Sequence, residues 1–182
     1  MSRAAVLHAI IERERISAER VYAVVDAARD PHLARAAFEQ FDLDRFSLFP
    51  GNTSRTLATV APFLIPVPFE AKYPFRTSCF LDEWAEHLGG SAGILLTSSV
   101  DVRDVWEHLR GVFLASDEKG NEFYFRFYDP RVLRQFVPSL TGAEAKQFFG
   151  PVRRVFAEAD GATEVIVARA IESGVKVEKR AV

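Results

Sequence analysis

The chain has 182 residues, 48% of them hydrophobic, with a formal charge of -2 and a pI near 6.1. That length suits one domain, or one domain with a small appendage, and the apolar content is enough for a real core. The balance of charge excludes the basic footprint of a nucleic-acid binder, and the single cysteine, Cys79, excludes an intrachain disulfide and fits a reducing compartment.

In chain order, Leu7, Ile10 and Ile11 give a short helical face within residues 1–19. Glu12 to Arg15 then cut that stretch short of a signal sequence. No run elsewhere is long enough to span a bilayer, so the sequence reads as a soluble cytoplasmic protein without stable membrane insertion. VYAVVDAA (21–28) is a continuous apolar run and therefore a buried strand. Asp30 suits the cap of the next helix and Pro31 its first position; Leu33, Ala36, Ala37 and Phe41 repeat at helical spacing. Pro50-Gly51-Asn52 breaks the chain. TLATVAPFLIPV (56–67) reads as a strand, but Pro62 cannot donate to a ladder and points to a sheet edge or a bulge.

Residues 66–76, PVPFEAKYPFR, read as an extended surface segment. A short helix over 81–88 stops at Gly89-Gly90, and AGILLTSSV (92–100) is another buried strand. Ser98 and Asp101 resemble a capping box opening DVRDVWEHLR. GVFLASDEKGNEFYFRFY reads as a hairpin turning at Gly120, two helical stretches follow it, and Gly150-Pro151 resets the chain. Asp160-Gly161 marks a second hairpin, and the polar tail GVKVEKRAV reads as frayed. Strands alternating with helices and then forming hairpins predict an α+β fold, a mixed sheet with helices packed on it.

Ordinary catalytic signatures are missing. His8, His32, His87 and His108 show no i, i+4 pair, and there is no nucleophile elbow, dinucleotide fingerprint or phosphate loop. Asp26 and Asp129 end buried-looking strands, where a pair of carboxylates can serve as acid and base; Asp129 has the simpler task of capping the helix that Pro130 begins. The chain carries 16 phenylalanines, which read as a Phe-rich core or, in part, as an exposed sticky surface. On a strand over 122–128, Phe123, Phe125 and Phe127 share one face and Tyr124, Arg126 and Tyr128 the other. Arg126, if buried, needs a carboxylate, and Asp26 and Asp129 are the obvious partners.

The stretch Phe125-Arg126-Phe127-Tyr128-Asp129-Pro130-Arg131-Val132-Leu133 resembles the signature of the adaptor, or effector-chaperone, family of bacterial type VI secretion, first catalogued as a domain of unknown function. Residues 22–28, Ser47-Leu48-Phe49, Ala61-Pro62-Phe63-Leu64, His108-Leu109-Arg110 and Phe148-Phe149-Gly150-Pro151 resemble its other blocks in the right order. The resemblance spans residues 20–155, leaving 156–182 as a short C-terminal hairpin and tail. It implies a non-catalytic protein without a cofactor, whose partners are a cognate secreted toxin and the spike protein. Asp26, Arg126, Tyr128, Asp129 and Pro130 would then support the fold. Many relatives continue past the Gly-Pro block into a larger lobe; about thirty residues follow it here. Effector recognition is therefore expected on the 152–170 hairpin, on the N-terminal helix, or on Phe69, Tyr73 and Phe75 of the stiff proline-rich segment. An enzyme using Asp26 and Asp129, or a structural accessory protein that binds the spike alone, are the competing readings.

Overall fold

The computed structural model describes residues 2–40, 43–49, 59–69, 74–116 and 119–182. A seven-stranded sheet lies between two layers of helices, and every described strand pair is antiparallel. In chain order the strands are β1 (Arg20–Asp26), β2 (Phe46–Ser47), β3 (Pro62–Val67), β4 (Gly93–Ser98), β7 (Val152–Glu158), β8 (Glu164–Ile171) and β9 (Gly174–Ala181). Their spatial order is β2-β3-β1-β4-β7-β8-β9. A separate small hairpin pairs β5 (Leu114–Ser116) with β6 (Glu122–Tyr124). The α+β class and the C-terminal hairpins stand as read from the sequence.

Both faces of the sheet are covered, which explains the continuous apolar runs. Along β1, Val21, Ala23 and Val25 face one core, while Tyr22 and Val24 face the other. The first core is closed by α1 (Arg3–Glu14), α2 (Pro31–Arg35) and α3 (Pro74–Glu86), which contribute Leu7 and Ile11, Leu33, and Phe80, Leu81 and Trp84. The second is closed by α4 (Val102–Phe113), α5 (Pro130–Phe136) and α6 (Gly142–Phe149), through Val105, Leu109 and Phe113, Leu133, and Phe149. The strand–helix–strand unit β3–α3–β4 does join two like-directed strands, as its pattern implies. They do not adjoin, because β1 lies between them and pairs with both.

Local chemistry accounts for most element ends. Asp30 accepts from the Leu33 N–H and Pro31 opens α2; Asp129 accepts from the Arg131 N–H and Pro130 opens α5. Thr141 and Glu144 form a reciprocal capping box on α6. Pro62 stands first in β3, where its missing N–H breaks no ladder, and its carbonyl accepts from the Leu48 N–H.

The α+β class stands, but the sheet expected to be mixed is antiparallel at every described pair, since β1 separates the like-directed β3 and β4. Five further expectations are corrected. The helix read over 81–88 begins at Pro74, because a proline in the first helical turn starts a helix as readily as it breaks other structure; residues 74–76 are thus helical rather than extended. Pro66 belongs to β3, opposite Tyr22. At α4 the cap is Asp101, accepting from the Arg103 and Asp104 N–H groups, while the Ser98 hydroxyl donates to the Pro151 carbonyl instead. The strand read over 122–128 ends at Tyr124, because tight turns from Phe127 N–H to Phe125 O and from Asp129 N–H to Arg126 O take over. The tail does not fray: β9 pairs with β8 from Gly174 to Ala181, and Arg180 bonds Glu14 of α1 at 2.9 Å. Its polar side chains suit a sheet edge.

Gly93 opens β4 with φ +153°, and a Cβ there would lie 1.9 Å from the Val24 carbonyl oxygen of the paired strand. Neither backbone can yield without breaking the β1–β4 ladder. Gly93→Ala should therefore destabilise the protein by about 2 kcal/mol or more in urea unfolding. A loss below about 0.5 kcal/mol would show that this close approach is not a constraint.

Candidate functional site

Three buried carboxylates gather at one end of the sheet: Asp26 ending β1, Glu158 ending β7, and Asp129 before α5. Each is occupied from within the chain. One oxygen of Asp26 accepts from the N–H groups of Ala28 and Arg29, both at 3.1 Å, and the other from Arg126 Nη2 at 2.7 Å. Asp129 accepts from the Arg131 N–H and Nε at 3.0 Å and from its Nη2 at 2.6 Å, with Arg126 Nη2 a further 3.7 Å away. Glu158 accepts from the Gly89 and Ser91 N–H groups and from the Ser91 hydroxyl, tying down the turn before β4. Burial without such partners would cost several kcal/mol per charge.

Arg126 is half exposed, at 47%, while its partner Asp26 is 2% exposed. The guanidinium sits 5.9 Å from the centre of the Tyr128 ring. The sequence-named group of Asp26, Arg126, Tyr128, Asp129 and Pro130 is therefore one contiguous cluster. Burial pulls the Arg126 pKa down, but the bond to Asp26 outweighs it and the net direction is up. Burial pushes Asp129 up, and the hydrogen bonds and charge of Arg131 reverse this, holding it below its ordinary value. Tyr128 is pushed up to about 12, first by burial and then by the neighbouring Asp26 charge. A carboxylate already saturated with donors has little capacity left to take a proton from a substrate.

Beside this cluster the surface opens into a groove of about 560 Å³ between α4 and α6. Its apolar lining comes from Val112, Phe125, Phe136, Leu140 and Phe148, all half-buried. Phe136 meets Phe125 edge-on at 4.7 Å and Phe148 at 5.4 Å, so the three rings form one aromatic surface. Glu107 and Glu144 stand exposed at the groove on facing helices. His108 also lines it, but its Nε2 is engaged with the Phe148 carbonyl at 2.8 Å. Sequence reading missed this groove. The available signals were the exposed-aromatic reading of the phenylalanines and Gly111 inside an otherwise regular helix.

The proposed docking rings lie elsewhere. Phe69 is not a surface anchor: it is 8% exposed, stacks on His8 of α1 at 4.5 Å and lies 5.0 Å beneath the Arg15 guanidinium. The segment folds onto the helical layer because α1 supplies a covering surface that the local sequence does not reveal. Tyr73 and the side chain of Phe75 lie outside the described residues. The 152–170 hairpin is interior to the sheet, with β7 between β4 and β8, and β8 between β7 and β9. Other phenylalanines divide as the two sequence readings allow: Phe63, Phe80, Phe113, Phe127, Phe149 and Phe156 are buried, and Phe123 is 48% exposed.

These features define an antiparallel α+β domain with a saturated ionic cluster at one sheet end and an open aromatic groove beside it. Residues 21–147 match the model of a family described as a domain of unknown function, DUF4123, and the chain belongs to that family. No curated protein and no solved structure matches it. Among the described residues, no helix is long and apolar enough to cross a membrane.

Removing Arg126 leaves Asp26 buried with only its two backbone donors. Arg126→Ala should lower unfolding free energy by about 1 kcal/mol, the half exposure of the guanidinium discounting a fully buried pair; unchanged stability would remove the cluster's supporting role. A second expectation concerns pH. Tyr128 has a folded pKa raised to about 12, against about 10 when unfolded, so its contribution is complete below the unfolded value and is lost as pH rises through the folded one. Tyr128→Phe should flatten the fall in stability between about pH 10 and 12, leaving the smaller share from Tyr22, which is also raised by burial. Parallel profiles for the two proteins would contradict it.

Proposed function

We propose that this chain is a non-catalytic adaptor that binds one cognate toxic effector of type VI secretion in the cytoplasm and helps load it onto the spike protein. The reading draws on the resemblance of Phe125–Leu133 and its companion blocks to that adaptor family. The observation that carries it is the division of labour at the site. The charged signature residues are engaged with one another, while the open feature beside them is apolar and aromatic, as suits holding a polypeptide. Asp26 and Asp129 do lie close together, both within reach of Arg126 Nη2. Their internal donors favour support over acid–base work.

Deletion of the gene in its host tests this directly. The expected result is loss of one toxin from the secreted fraction, with the tube protein still secreted and binding of that toxin restored by the purified chain. Loss of both toxin and tube protein would favour a structural component of the apparatus. Loss of neither overturns the adaptor reading.

A further inference from the structure

Gly111 sits in the last turn of α4 and lines the groove between α4 and α6. A glycine in a helix is less favourable than alanine, because it exposes backbone and gives up more conformational freedom. Here the chain's own packing does not require it: a Cβ built on Gly111 meets nothing within 4 Å. This contrasts with Gly150, where a Cβ would strike the His108 ring at 2.3 Å, and with Gly142, where it would meet the Glu172 carbonyl oxygen at 1.9 Å. Gly111 thus leaves bare backbone at the wall of an apolar groove, with space in front of it that the fold does not use.

We propose that the groove receives an amphipathic helix of the client, its apolar face on the Phe125, Phe136 and Phe148 rings and its backbone close against Gly111. This rests on the adaptor reading. Charge complementarity selects the flanks. Glu107 of α4 and Glu144 of α6 both line the opening, and Glu144 is held ionised by the Thr141 N–H and hydroxyl, which lower its pKa. Glu107 makes no hydrogen bond or ion pair among the described residues. Lysine or arginine beside the apolar face of the incoming helix would pair with both. Helix-in-groove recognition has this form, with anchors at i, i+3, i+4 and i+7. A small-molecule site would instead need several converging polar groups left free to orient a ligand. Here His108 is bonded to the Phe148 carbonyl, and Glu107, Glu144 and Gln147 are exposed side chains rather than buried groups fixed to orient a ligand.

The test uses a fluorescein-labelled helical peptide of about 16 residues, with Leu and Phe on one face and Lys at the flanks, and a twin with Glu at the flanks. Fluorescence anisotropy on the full chain should show saturable binding of the Lys-flanked peptide and a preference for it of tenfold or more. Gly111→Trp fills the space and should weaken binding at least tenfold. Gly111→Ala should raise the melting temperature and yet weaken binding, a combination that a merely structural glycine cannot give. Glu107→Lys should erase much of the preference. Equal binding by Gly111→Trp, a preference for the Glu-flanked twin, or a dimer of this chain dispersed by Gly111→Trp without peptide binding would each overturn the proposal. The toxin found by the deletion experiment separates the two readings. If it binds wild type and Gly111→Trp alike, the groove is not the client site and the adaptor reading stands. If no toxin depends on the gene and the peptide still binds as described, the adaptor reading falls and the groove remains a helix receptor.

Discussion

Asp26 closes a strand that is covered on both faces, and its side chain is 2% exposed. The surrounding chain supplies what water would. Two N–H groups come from the turn that follows the strand, and a guanidinium comes from a residue 100 positions further along. The second of these is the consequential one. Arg126 belongs to the loop after β6, so its pairing pins that loop to the end of β1. The pinned loop places Asp129 and Pro130 where they begin α5, and drops Phe127 and Tyr128 into the second core. Where a strand is buried on both faces, its end is the easiest place to hold a charge, because turn N–H groups and a guanidinium from a neighbouring loop can reach it there.

Several of the blocks that carry the resemblance belong to one construction, because α4, which holds His108-Leu109-Arg110, meets three of the others. The Trp106 indole N–H donates to the Ser47 carbonyl, and Leu48 and Phe49 pack into the second core beside it. His108 reaches the Phe148 carbonyl, and its ring lies so close over Gly150 that only glycine fits beneath. Phe113, the last residue of α4, stacks on Tyr124 at 4.8 Å and accepts the Phe125 N–H through its carbonyl. Blocks that are scattered along the sequence are contiguous around one helix. Their residue types suit close packing and the saturation of buried polar groups.

How much of this was legible in the sequence depended on whether the cause was local. Caps at Asp30 and Asp129, the Asp160-Gly161 hairpin and the doubly buried runs of β1 and β4 each rest on a few neighbouring residues, and each could be read. The partners of Arg126 could be read too, since few carboxylates end buried strands. What was hidden depended on a distant neighbour. The tail looked frayed because its polarity is that of an edge strand, and only β8 and Glu14 reveal it as one. Phe69 looked exposed because nothing in PVPFEAKYPFR announces that α1 will cover it. The aromatic run at 122–128 looked like one strand because alternation continues in the sequence after the backbone has turned away.

That turn explains why scaffold and surface sit side by side. Over five residues the chain passes from Phe123 and Tyr124, 48% and 53% exposed, through half-buried Phe125, to Phe127 at 2%. Phe125 is held at both ends, by its own N–H on the Phe113 carbonyl at 2.8 Å and by the neighbouring Arg126 bonded to Asp26 at 2.7 Å. A ring fixed in this way loses little freedom when something packs against it, and a binding surface gains affinity by avoiding that entropic cost. The buried ionic cluster and the open groove are thus coupled through one residue. Weakening the pair at Arg126 should therefore loosen the platform on which Phe125 meets Phe136, even though no residue of the cluster lines the groove.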